Sequence, residues 1–115
     1  MLTEKEMLNL AERYLKRKAE FGGSDIEVVI LTEEIIKKYY GSIYYYQSKE
    51  FILTGNINKA LTPGTPFLVE KSSGRVVAFA SAMSLENNIK SYENGTMTPS
   101  LYSYWYPDED RFDYK

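Results

Sequence analysis

Three kinds of residue group in this chain could do chemistry: two tight carboxylate runs, several glycine-bearing loops and a surplus of tyrosine. The carboxylate runs are Glu33-Glu34 and Asp108-Glu109-Asp110. Paired acids cleave a glycosidic bond when a pocket holds them roughly 5–9.5 Å apart, and acid clusters can hold calcium or magnesium. Neither run has pocket-forming neighbours, and the EF-hand spacing is absent. Glu33-Glu34 reads as solvated surface, and a carboxylate-based hydrolase is a remote alternative. Gly55, Gly64 and Gly74 fit neither the dinucleotide fingerprint nor the P-loop, which leaves turns as their use. The chain has no cysteine and no histidine. Disulfides, thiol nucleophiles, Ser-His and Cys-His catalysis and nearly every zinc, haem or iron–sulfur site fall away with them. The expectation is a protein with no catalytic residue, no metal and no cofactor.

The aromatic residues are the stronger signal. Eleven Tyr, five Phe and one Trp make up 15% of the chain. Tyrosine buries a large area while keeping a polar tip, which suits both sheets and interfaces. Tyr39, Tyr40, Tyr44, Tyr45 and Tyr46 come without a basic patch, so sheet core and cross-strand pairing explain them better than base stacking. Leu101 to Tyr106 is different, because Asp108, Glu109 and Asp110 follow its aromatics at once. It reads either as a last strand or strap, or as aromatic anchors with an acidic rim for a basic protein partner. A strand can do both. Alternation then turns Trp105 inward as a core anchor. Tyr102, Tyr104, Tyr106, Asp108, Glu109 and Asp110 are the candidate partner-binding residues. Gly64, Pro66 and Gly74 are expected to serve turns, since Gly permits positive φ and Pro fixes it near −65°.

The elements that would position these groups follow from pattern. A length of 115 residues allows one domain. Hydrophobic residues at 43% and charged residues at 26% are an ordinary globular mix, with a net charge of -2. Without a cationic excess, nucleic acid is not an expected partner. No stretch approaches the roughly 20 apolar residues of a membrane span, and the N-terminus lacks a signal-peptide core, so the expected compartment is the cytoplasm. Thr3 and Glu6 have capping-box spacing, and Met7, Leu8, Ala11, Tyr14 and Leu15 share one helical face. The pattern predicts a helix over about 4–20, ended by Gly22 and Gly23. Ile26 to Leu31 should be a strand, Thr32 to Lys38 a short helix, and Ser42 to Gln47 a strand that Phe51 to Leu53 extends or neighbours. Phe67 to Glu70 and Arg75 to Ala80 flank a hairpin turn at Lys71 to Gly74. Ser84 can cap a second short helix near residues 84–93, closed by Asn94-Gly95. The aromatic and acidic tail begins at about residue 96. The whole predicts an α+β domain, residues 1–115, with the N-terminal helix packed on an antiparallel sheet of four to five strands.

The segment Tyr44-Tyr45-Tyr46-Gln47-Ser48-Lys49-Glu50-Phe51, followed by Gly55-Asn56, Ala60-Leu61, Gly64-Thr65-Pro66, Phe67 to Lys71 and Gly74-Arg75-Val76, resembles the immunity protein 35 family. The helix from Thr3 to Lys18 and the stretch Leu85 to Tyr92 resemble its two ends, so the likeness covers roughly residues 3–93. These proteins belong to bacterial polymorphic toxin systems. The resemblance implies a small cytoplasmic protein that binds and neutralises a cognate toxin effector, with no catalysis of its own. The alternative reading is a general chaperone-like or peptide-binding module.

Overall fold

The capping box closes in both directions. The Thr3 N–H donates to Glu6 Oε1 at 3.0 Å, and the Glu6 N–H donates to Thr3 Oγ1 at 3.1 Å. This fixes the start of helix α1, Glu4–Phe21, in a computed structural model that describes residues 1–21, 23, 26–56, 58, 66–80, 83–98, 100 and 102–114. Along the chain follow β1 (Val28–Ile30), a single 3-10 turn (Thr32–Glu34), β2 (Ile36–Lys38), β3 (Gly41–Tyr44), β4 (Tyr46–Ser48) and α2 (Lys49–Thr54). Then come β5 (Phe67–Glu70), β6 (Val76–Ala78), α3 (Leu85–Asn94), β7 (Tyr104–Tyr106) and β8 (Arg111–Asp113). The protein is α+β, and every strand pair is antiparallel.

Six strands form one sheet in the order β2-β3-β5-β6-β7-β8, while β1 and β4 form a separate two-stranded ribbon. Side chains alternate across a strand, so the sheet has two covered faces. On one, Tyr44, Phe67, Val69, Val76 and Trp105 pack against Met7, Ala11, Tyr14 and Leu15 of α1. On the other, Ile43, Leu68, Val77 and Phe79 pack against Leu85, Ile89 and Tyr92 of α3. The sheet is sandwiched between two helices.

The main sheet is larger than the four or five strands expected, for two local reasons. Residues 36–38, read from sequence as part of a helix, are extended. The helix stops after one 3-10 turn because Ile35 and Ile36 are β-branched and Ile36 pairs with Ile43. Gly41 begins β3, and a Cβ there would run into the Val69 carbonyl of the neighbouring strand. The expected tail also supplies two strands, so it is part of the sheet. The single strand predicted over 42–47 is divided: β3 belongs to the large sheet, β4 to the ribbon, and the Tyr45 carbonyl at the break accepts from the Leu31 N–H at 2.9 Å. Phe51 to Leu53 are helical, because Ser48 caps α2 by accepting from the Phe51 N–H at 3.3 Å.

The hairpin turn before β6 is where expected. The Gly74 N–H donates to the Glu70 carbonyl at 2.8 Å, and Gly74 has φ 76. A Cβ there would stand 2.8 Å from Leu10 Cδ1. Gly74→Val is therefore expected to lose about 1–2 kcal/mol from backbone conformation alone, read as a lower urea midpoint. An unchanged midpoint would contradict this geometry. Gly64, like Gly22, lies outside the described residues; Pro66 immediately precedes β5. Among the described residues no helix is long and apolar enough to cross a membrane.

Candidate partner-binding site

The six candidate residues sit on or beside the β7–β8 hairpin, which β6 anchors through Val76 opposite Trp105 and Val77 opposite Tyr104. Trp105 does turn inward and is 2% exposed. Its ring centroid lies 5.9 Å from that of Tyr14, and its register partner on β8 is Phe112. Alternation sends Tyr104 and Tyr106 to the opposite face.

There the two tyrosines meet arginines. The Arg75 guanidinium lies 4.3 Å from the Tyr104 ring centroid, and Arg111 lies 4.5 Å from that of Tyr106. Arg75 also forks onto Glu70, with Nε to Oε1 and Nη2 to Oε2 both at 2.8 Å. Glu70 accepts further hydrogen bonds from the Tyr92 hydroxyl at 2.5 Å and the Ser73 hydroxyl at 2.9 Å. Burial alone would push the Glu70 carboxyl up, but the Arg75 and Tyr92 hydrogen bonds and the Arg75 charge outweigh it and hold the group below the ordinary carboxylate range. Burial, reinforced by the bond to Glu70, raises the Tyr92 phenol. Sequence reasoning missed this cluster. Its only signal was opposite charge at the two ends of a predicted hairpin, Glu70 and Arg75.

The acidic rim is mostly committed within the protein. Asp110, in a left-handed conformation at φ 48, accepts from Trp105 Nε1 and Arg17 Nε, each at 3.0 Å. Glu109 pairs with Arg111 at 2.6 Å, and Arg111 also pairs with Asp113. Asp108 is exposed and has no ion pair among the described residues. The expected constellation is thus divided among two faces and a turn.

Of the three candidate tyrosines, Tyr102 is the exposed one. It is 52% exposed and stacks edge-on against Phe21 at 5.4 Å, while Phe21 meets Phe112 at 5.2 Å. The three rings border an apolar groove of about 710 Å³ whose lining includes Tyr14, Lys18, Phe79, Met83 and Met97. Buried Asn88 fixes one wall: its amide accepts from the Ala80 N–H at 2.9 Å and donates toward the Ala80, Met83 and Ser84 carbonyls at 3.0–3.3 Å. Among the described residues that line the groove, Lys18 is the one charged side chain. Among the described residues, no group of three or more acids is placed to hold a metal ion. The arrangement suits apolar and aromatic contact.

No protein-family model matches the chain, and no solved structure matches it. It is similar to a curated protein of Escherichia coli (strain K12), the uncharacterized protein YrhB, with 25% identity over 87 residues. The match spans 76% of this chain and 90% of that protein.

Proposed function

We propose that the chain is an immunity protein of the immunity protein 35 type, a cytoplasmic binding module that neutralises a cognate bacterial toxin by stoichiometric contact and not by catalysis. The observation that carries the binding reading is the ring cluster at the mouth of an apolar groove in which exposed Phe21 and Tyr102 rest on half-buried Phe112. Large aromatics at the rim of a groove are what a protein interface uses as anchors. Asp108, exposed at the β7–β8 turn and without an ion pair among the described residues, adds a negative charge that speeds association with a basic partner.

The test takes as ligand the product of the reading frame neighbouring this gene, where a toxic C-terminal module is the expected finding. Tyr102→Ala is expected to leave the melting curve unchanged and to raise the off-rate about tenfold or more, since an interface change shows mainly in dissociation. An off-rate equal to wild type would remove Tyr102 from the interface. A second reading, a chaperone-like peptide-binding module, draws support from Met83 and Met97 in the groove, because thioethers adapt to varied apolar surfaces. Selectivity separates the two. An immunity protein binds one toxin tightly, whereas a chaperone binds many unfolded chains weakly.

A further inference from the structure

A second groove, of about 550 Å³, runs between α1 and β1 on a different part of the surface. Glu27, Val28, Val29 and Ile30 all line it, although side chains alternate along a strand. Consecutive residues can face one groove only through their backbone edge. The hydrogen-bond pattern agrees. Glu27 accepts from the Lys49 N–H and the Leu31 N–H donates to Tyr45, each at 2.9 Å, so residues 27, 29 and 31 face the β4 side of the ladder. In an antiparallel pair the alternate residues, Val28 and Ile30, then point N–H and C=O away from β4. Neither has a backbone partner on that side among the described residues. This is an open strand edge beside an apolar floor that includes Leu8, Leu15 and Ala19.

We propose that the free edge of β1 accepts an extended segment of a basic protein partner, which adds as a third strand to the β1–β4 ribbon. Main-chain hydrogen bonds to Val28 and Ile30 would supply register, and the floor of the groove would take alternate apolar side chains. Charge selects the partner. The groove is bordered by Glu12, Glu20 and Glu27 against Lys16. Arg17 and Lys49 pair with Glu20 and Glu27 only through exposed contacts at 3.6 and 3.4 Å, which offset little of that field. A second copy of this chain, pairing β1 with β1, would set acids against acids. A segment flanked by lysine or arginine meets complementary charge instead.

The probe is a short capped peptide of alternating valine and threonine flanked by lysines, added to the intact chain. In the free protein the Val28 and Ile30 amides should exchange fast; with the peptide they should slow about tenfold or more, as pairing protects them. Methylating every backbone nitrogen of the peptide should abolish binding, while methylating alternate nitrogens, which leaves one edge intact, should retain it. A glutamate-flanked version should bind about tenfold more weakly or worse. Equal binding by the fully methylated peptide would overturn strand addition, and equal binding by the two charge variants would overturn the choice of partner. Failure of the lysine peptide to bind, or Val28 and Ile30 amides already protected in a dimer of this chain, would overturn the proposal as well. Tyr102 lies on another surface, so its test stands or falls separately.

Discussion

Trp105→Ala is expected to cost about 3–5 kcal/mol, the usual range for emptying a fully buried aromatic site. Trp105 is wedged between α1 and the sheet, where Tyr14, Val76 and Phe112 close around it. Removing the indole opens a cavity among these groups. It also removes the N–H that Asp110 accepts at 3.0 Å, and Asp110 is the residue that turns the hairpin and reaches Arg17. Urea unfolding of wild type, Trp105→Ala and Trp105→Phe separates the two contributions. The phenylalanine variant keeps most of the volume and should lose roughly 1–2 kcal/mol, for one buried partner lost. A loss below about 1 kcal/mol for the alanine variant would mean that the β7–β8 hairpin lies outside the cooperative core. For the same reason, truncation after Pro107 should unfold the chain, because it removes β8 and Phe112.

The second large effect belongs to Glu70 and Arg75. Glu70 retains only 12% side-chain exposure, and Arg75 only 26%. Arg75→Met should cost about 3–5 kcal/mol, because it leaves a carboxylate buried with no countercharge. The double variant Glu70→Leu with Arg75→Met should recover much of that loss, since it buries no charge at all. If the double variant is as unstable as Arg75→Met, packing by the arginine stem, not its charge, holds this corner. A pH dependence follows with a definite sign. The folded-state pKa of Glu70 is lowered from its ordinary value of 4.5. Its contribution is therefore fully present above about pH 4.5 and is lost as pH falls through the depressed folded value. Urea midpoints between pH 6 and pH 3 should fall more steeply for wild type than for Glu70→Gln. Parallel curves would place the acid sensitivity elsewhere.

Local signals carried much of this architecture. The Thr3–Glu6 box, Ser84, and the turn ending at Gly74 act through neighbours three or four residues away, so the sequence displays them directly. The apolar face of α1 and the inward turn of Trp105 were legible because periodicity sorts side chains by face. Segments whose fate is decided across the fold were not. Residues 36–38 are extended because β3 lies beside them, and β3 and β4 separate at Tyr45 because each has a different partner strand. The candidate site shows where spacing stops informing. Spacing put three tyrosines and three acids together, but it could not show that Arg75 and Arg111 cover Tyr104 and Tyr106, or that Asp110 serves Trp105. Tyr104 and Tyr106 are half-buried beside those arginines, while Tyr102, which lies outside β7, is exposed. The ion cluster on Glu70 showed in sequence only as opposite charges at the ends of a hairpin, because Tyr92 reaches it from another element.

The bond between Arg17 and Asp110 joins residues 93 positions apart, and it has a kinetic consequence. The β2–β3, β5–β6 and β7–β8 pairs are local hairpins, but the seam between α1 and the β7–β8 hairpin closes only when distant parts of the chain meet. Contacts of such separation slow folding, because the loop must close before they are gained. While a nascent chain lacks residues 104–113, the edge of β6 has no neighbouring strand and Tyr14 has no indole to pack against. That interval exposes strand edge and aromatic surface together, the combination most prone to mispairing. The β7–β8 hairpin therefore acts late, as the piece that ends the chain's exposure to self-association.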